Sequence, residues 1–173
     1  MGVVVLLILL GAGYWVWAHY SGKTTDQAQE PYAVPALTQA YTNQTYGFSL
    51  KMPADFTPQE GVNEDGTDQI LLQNQKGEGI QVIISPFDED TGQGYTLTKE
   101  RIAQDVPDLV ITAEQPIDIG EAYHGLAFKS NNEAFGGDSR EVWFVYKGNL
   151  YQISTYARLD DLLKAIFQTW QFD

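Results

Sequence analysis

The 173-residue chain contains no cysteine, and its 10 lysines and arginines stand against 23 aspartates and glutamates. Without cysteine there are no disulfides, no thiolate metal sites, no cysteine nucleophile and no cysteine-borne lipid. A formal net charge of −13, with no two basic residues adjacent, repels phosphate backbones and excludes nucleic acid as a partner. Histidine is also scarce: of the two, only His124 falls in the body of the chain, so a zinc site would need mostly carboxylates. What is plentiful is apolar and aromatic residue, 43% and 13%, enough for the core of one modest domain.

Residues Gly2 to Ala18 carry no charge and are mostly apolar. At about 1.5 Å per residue they extend about 25 Å, the short end of what spans a hydrocarbon layer about 30 Å thick. Tyr14, Trp15, Trp17 and Tyr20 gather at one end, as in an interfacial aromatic belt. Residues 1–20 therefore read as a transmembrane anchor or signal segment, with 2–18 in the membrane; Val16 and Ala18 keep a V-x-A cleavage site open. Such an acidic chain is expected outside the cytoplasm, away from the anionic inner leaflet. Residues 21–40, small and polar with Pro31 and Pro35, read as a flexible linker, and the globular domain is expected over 41–173.

Within that domain Tyr46, Phe48, Leu50 and Met52 alternate with polar or small residues, a half-buried strand ended by Pro53. Ile70–Leu72 and Ile80–Ile84 flank turn residues and predict a hairpin. Thr98 caps a short helix with Leu97 and Ile102 as its staple, and Pro107 stops it. Strands are expected at 110–119, 123–129, 139–146 and 150–156, the last two joined by Lys147-Gly148-Asn149. Leu159, Leu162, Leu163, Ile166, Phe167 and Trp170 follow helical spacing, with Asp160 and Asp161 favouring the helix dipole. The fold class is α+β: a mostly antiparallel sheet flanked by helices.

The opening YTNQTYGFSLKMPADF, the hairpin, the sheet-to-helix order and the ending in TWQF resemble the PsbP-like superfamily, named for the extrinsic photosystem II protein. The pattern also resembles small bacterial membrane-anchored proteins of that fold. The resemblance covers roughly 41–173, most clearly Tyr46–Phe56 and Arg140–Phe172. It implies an α-β-α sandwich that serves as a binding or assembly module without a shared catalytic site.

Four constellations carry candidate chemistry. Asp88, Asp90 and Glu100 surround the glycine-containing stretch 88–94 and invite a calcium reading, although no EF-hand frame places acids at all the required positions. Ser139, in GGDSRE, lacks the second glycine of a nucleophile elbow. His124 reads as a hydrogen-bonded core or edge histidine. The connection Asn131, Asn132, Glu133, Ala134, Phe135, Gly136, Gly137, Asp138 presents Asn131, Asn132, Phe135 and Asp138 as partner-binding candidates, with Phe135 either exposed at its tip or folded back onto the sheet. The expected function is a membrane-tethered extracytoplasmic binding or assembly module without intrinsic catalysis that docks another envelope protein. The alternatives are a carboxylate-dependent hydrolase of envelope glycans and a small-ligand or calcium sensor.

Overall fold

The computed structural model describes residues 32–89, 95, 97–119 and 123–173, with Tyr123 as backbone only. The expected anchor, residues 21–31 of the expected linker, and Asp90 lie outside the described residues. Among the described residues no helix is long and apolar enough to cross a membrane.

Strand β1 (Leu37–Asn43) pairs antiparallel with β2 (Phe48–Pro53) through a tight turn, in which Asn43 Oδ1 accepts from the Tyr46 amide at 2.9 Å. The short strand β10 (Gln171–Phe172) pairs with the free side of β2 and completes a three-stranded sheet. The second sheet has seven strands in the order β3-β4-β5-β9-β8-β7-β6, all antiparallel. Its members are β3 (Thr57–Val62), β4 (Asp68–Gln73), β5 (Gly79–Pro86), β6 (Thr112–Ile119), β7 (Tyr123–Ser130), β8 (Ser139–Tyr146) and β9 (Asn149–Tyr156). Two sequential meanders, β3-β4-β5 and β6-β7-β8-β9, meet at the single seam between β5 and β9.

The alternation read from the sequence sets the faces. Ile80, Val82 and Ile84 of β5, Val142, Phe144 and Tyr146 of β8, and Tyr151 and Ile153 of β9 point to one face. There they meet Phe48, Leu50 and Met52 of the small sheet and Leu162, Leu163 and Ile166 of helix α2 (Asp160–Phe167). The other face carries Leu126, Phe128, Trp143, Val145 and Leu150, covered by helix α1 (Lys99–Asp105) through Ile102 and by Leu97, Phe87 and Ile111. Thr98 caps α1 as expected, its Oγ1 accepting from the Arg101 amide at 3.2 Å. The result is two apolar layers on the two faces of a central sheet, each side chain of which contributes about 1.5–3 kcal/mol when fully buried.

Three elements depart from the sequence reading. Strand β1 starts inside the segment read as linker, and Tyr32 and Leu37 pack against the core, so 32–40 belong to the domain. As an edge strand with only one face on the core, β1 needs few apolar residues and its composition resembles a tether. Strand β3 is exposed along nearly its whole length, with Pro58 and Gly61 in it, and carries no alternation to read. The helical pattern ends at Phe167, and Trp170 is buried from the turn beyond, where β10 begins.

Gly79 is fixed by the close approach of two backbones. A Cβ there would lie 2.1 Å from the Leu72 carbonyl oxygen and 2.6 Å from Gln73 Cα, and the Gly79 carbonyl itself accepts from Thr155 Oγ1 at 2.6 Å. Gly79→Ala is expected to cost at least about 2 kcal/mol, because neither contact is a side chain that can swing away. A urea midpoint equal to wild type would show that the β4–β5 hairpin is looser than this packing requires.

Candidate functional site

Strand β8 brings a carboxylate into the sheet interior. Glu141 is 1% exposed. Its Oε1 accepts from Ser139 Oγ at 2.7 Å and Asn132 Nδ2 at 3.3 Å; its Oε2 accepts from Trp143 Nε1 at 3.4 Å and from Ser154 Oγ. Every one of these donors is neutral. The β-period places Ser139, Glu141 and Trp143 on the same face, and the β8–β9 register sets Ser154 opposite Glu141. Ser139, fully buried and donating to Glu141, is a structural partner of the carboxylate and no exposed nucleophile.

Above this carboxylate lies a cleft of about 360 Å³, within the range of small-molecule sites. Trp143 and Ser154 form its floor, Gln81, Ile83 and Gln152 extend it across β5 and β9, and Asn131, Asn132, Val106, Asp108 and Leu109 form its walls. Its lining holds no lysine or arginine. Asn131 and Asn132, two of the four residues singled out in the sequence, thus come together here. Asn131 Oδ1 accepts from the Val110 amide at 2.9 Å, tying the β7–β8 connection to the segment before β6. Asn132 donates to Glu141 and accepts from the Ala134 amide, starting the 3-10 turn Glu133–Phe135.

The other two candidates face elsewhere. Phe135 folds back edge-on to Tyr156, ring centroids 5.3 Å apart, and the Arg158 guanidinium stacks on the same tyrosine at 5.2 Å. Asp138 contributes its carbonyl to the Ala157 amide at 3.0 Å. His124 is half-exposed and bonds Asp118 Oδ1 at 2.8 Å across the β6–β7 register, near the start of the strand next to the sheet edge. Of the calcium candidates, Asp88 and Glu100 are exposed, while neighbouring Glu89 is held by Arg101 at 2.6 Å. Among the described residues no group of three or more histidines and acids is placed to hold a metal.

A groove of about 320 Å³ occupies the opposite face, between α2 and strands β6–β8. Its apolar walls include Ile117, Val142, Leu163 and Phe167. At its base the buried Arg140 lies 3.1 Å from Asp160, which also meets Lys164 at 2.8 Å.

Elsewhere the surface is acidic along one margin. Between Lys51 and Lys76 the chain has Asp55, Glu60, Glu64, Asp65 and Asp68 and no basic residue. The β3–β4 hairpin carries four of these, and Val62 beside its tip is 69% exposed. Two tyrosines tie it to the small sheet: Tyr41 Oη donates to Glu60 at 2.5 Å, and Tyr46 Oη donates to Asp68. Burial first, and then these acidic acceptors, push both phenols upward, Tyr46 to about 12.

The described chain is an α+β domain on a seven-stranded antiparallel sheet. Among solved structures it is similar to the solution structure of cyanobacterial PsbP (CyanoP) from Synechocystis sp. PCC 6803, at 14% identity over 82% of this chain and 95% of that one, with a TM-score of 0.49. No family model and no curated protein matches the sequence.

Two outcomes follow from these contacts. Glu141→Ala strands buried donors, each costing about 1–3 kcal/mol, so it is expected to lower the melting temperature and speed proteolysis within 131–138. Unchanged cleavage there would mean that Glu141 does not hold that connection. For Tyr46, the protonated phenol is favoured in the fold, so its contribution is complete below pH about 10 and lost as pH rises through about 12. Urea midpoints measured across that window should fall less steeply in Tyr46→Phe than in wild type.

Proposed function

We propose that this chain is a membrane-tethered extracytoplasmic docking module that binds the basic face of another envelope protein. The observation that carries the reading is the distribution of charge. Lys99, Arg101, Arg140, Arg158 and Lys164 each lie within ion-pair distance of an acid of the same chain. The β3–β4 margin has no such neutralisation from its own sequence, and it coincides with the edge of the seven-stranded sheet. An acidic edge steers a cationic partner and suppresses pairing with a second acidic edge. The apolar run 2–18 supports the tether, and a chain held at a membrane gains effective concentration toward partners in the same envelope.

The test is a photo-crosslinking amino acid at Val62 in the full-length chain, in its native envelope. A discrete adduct that weakens with added salt, and about tenfold with Glu60→Lys and Glu64→Lys together, is the expected result. An adduct of undiminished yield in the reversed variant, or none at all, would remove the acidic margin as the docking surface.

A further inference from the structure

The cleft over Trp143 is one end of a larger surface. The register places Gln59 opposite Leu71, Leu71 opposite Gln81, and Gln81 opposite Ser154, which is itself opposite Glu141. One step along, Gln69 stands opposite Ile83, Ile83 opposite Gln152, and Gln152 opposite Trp143; Gln73 stands opposite Thr57. Paired residues share a face, so Gln59, Gln69, Gln73, Gln81 and Gln152 all lie on the side of the sheet that α1 covers only over β7–β9. None of the five is buried, and none of their side-chain amides is hydrogen-bonded to another described residue. From β3 to β8 this face crosses five strands, about 19 Å at about 4.8 Å per strand.

In a protein of net charge −13, strands β3, β4, β5 and β9 present no charged side chain on this face. Glu60 and Asp68 sit at alternate positions and bond the tyrosines of the small sheet instead. Phosphate or carboxylate ligands find no cation here. A protein partner would find no exposed aromatic or arginine to anchor it, only the partly buried Leu71 and Ile83 on the strands and Val106 and Leu109 at the cleft wall. Each primary amide, by contrast, offers two donors and an acceptor without charge, the complement of a hydroxyl that both gives and accepts. Ile83 and Leu109, with Trp143 beneath them, add an apolar strip in the cleft for the C–H face of a ring.

We infer that the glutamine-bearing face binds a neutral oligosaccharide, seated at the Trp143 cleft and running outward across β5 and β4. This surface shares the β3–β4 hairpin with the acidic margin but lies on the face opposite Glu60 and Asp68, and it implies binding without cleavage.

The full-length chain in detergent micelles, labelled with nitrogen-15, is titrated with cellohexaose, maltohexaose and chitohexaose, following the glutamine side-chain amide signals. At least one sugar should give saturable shifts on Gln81 and Gln152 that persist in high salt. Gln81→Ala with Gln152→Ala should weaken binding about tenfold. The pair Gln59→Ala, exposed, and Gln69→Ala, partly buried on β4, gives a second reading should the first variant fail to fold. Absence of shifts with all three sugars, or shifts that depend on protein concentration alone and so report a second copy, would overturn the assignment. So would tighter binding of an acidic hexagalacturonate than of every neutral probe.

Discussion

Strand β8 is buried along all eight of its residues, and the rest of the molecule follows from that constraint. A strand covered on both faces needs an apolar layer on each side, which the small sheet with α2 and the loop region with α1 provide. It also carries Ser139, Arg140 and Glu141 into the interior, where each polar group must find a partner. Arg140 turns to one face and meets Asp160 at the start of α2. Glu141 turns to the other and collects donors from β8, β9 and the β7–β8 connection. One tripeptide thereby locks a helix to one side of the sheet and a loop to the other.

The two sides serve different chemistry. Around the small sheet, aromatic packing is dense: Phe48 stacks on Trp170 at 4.5 Å, and Phe144 on Tyr151 at 4.8 Å. Such a layer is rigid and fixes the geometry of β8 and β9 from behind. On the far side the hydroxyls of Ser139 and Ser154 are committed to Glu141, while the amides of Gln81 and Gln152 have no partner among the described residues. A stiff backing with an uncommitted front is the arrangement that holds side chains in register for recognition.

The legibility of the sequence tracks how much each element buries. Strands β2, β4, β5, β7, β8 and β9 and helix α2 announced themselves by their apolar residues, and α1 by its Thr98 cap, its staple and the stop at Pro107. Strand β6, exposed along most of its length, falls within the strand expected at 110–119. Strands β1, β3 and β10 gave no such signal: the first two are edges, one half-covered and one exposed, and the third is two residues long. Within the site, Asn131 and Asn132 stood out as polar residues on a long connection. Phe135 was legible as an aromatic but not in its orientation, which depends on the distant Tyr156. Gln81 and Gln152 carry no signal of their own, because strand alternation announces its apolar half and the glutamine-bearing face lies in the other half. Glu141 was visible only as the residue that spoiled a nucleophile elbow, and its role needed the cross-strand partner Ser154.

The seam between β5 and β9 sets a kinetic character as well as an architecture. Each meander forms from neighbours in sequence, whereas Ile80 must wait for Thr155. Closing so long a loop carries an entropic cost that the local pairings do not, and topologies rich in such distant pairs fold slowly. Sequence inserted between the two meanders raises that closure cost only logarithmically: each doubling of the intervening length adds about 0.6 kcal/mol and so slows the join by at most about threefold.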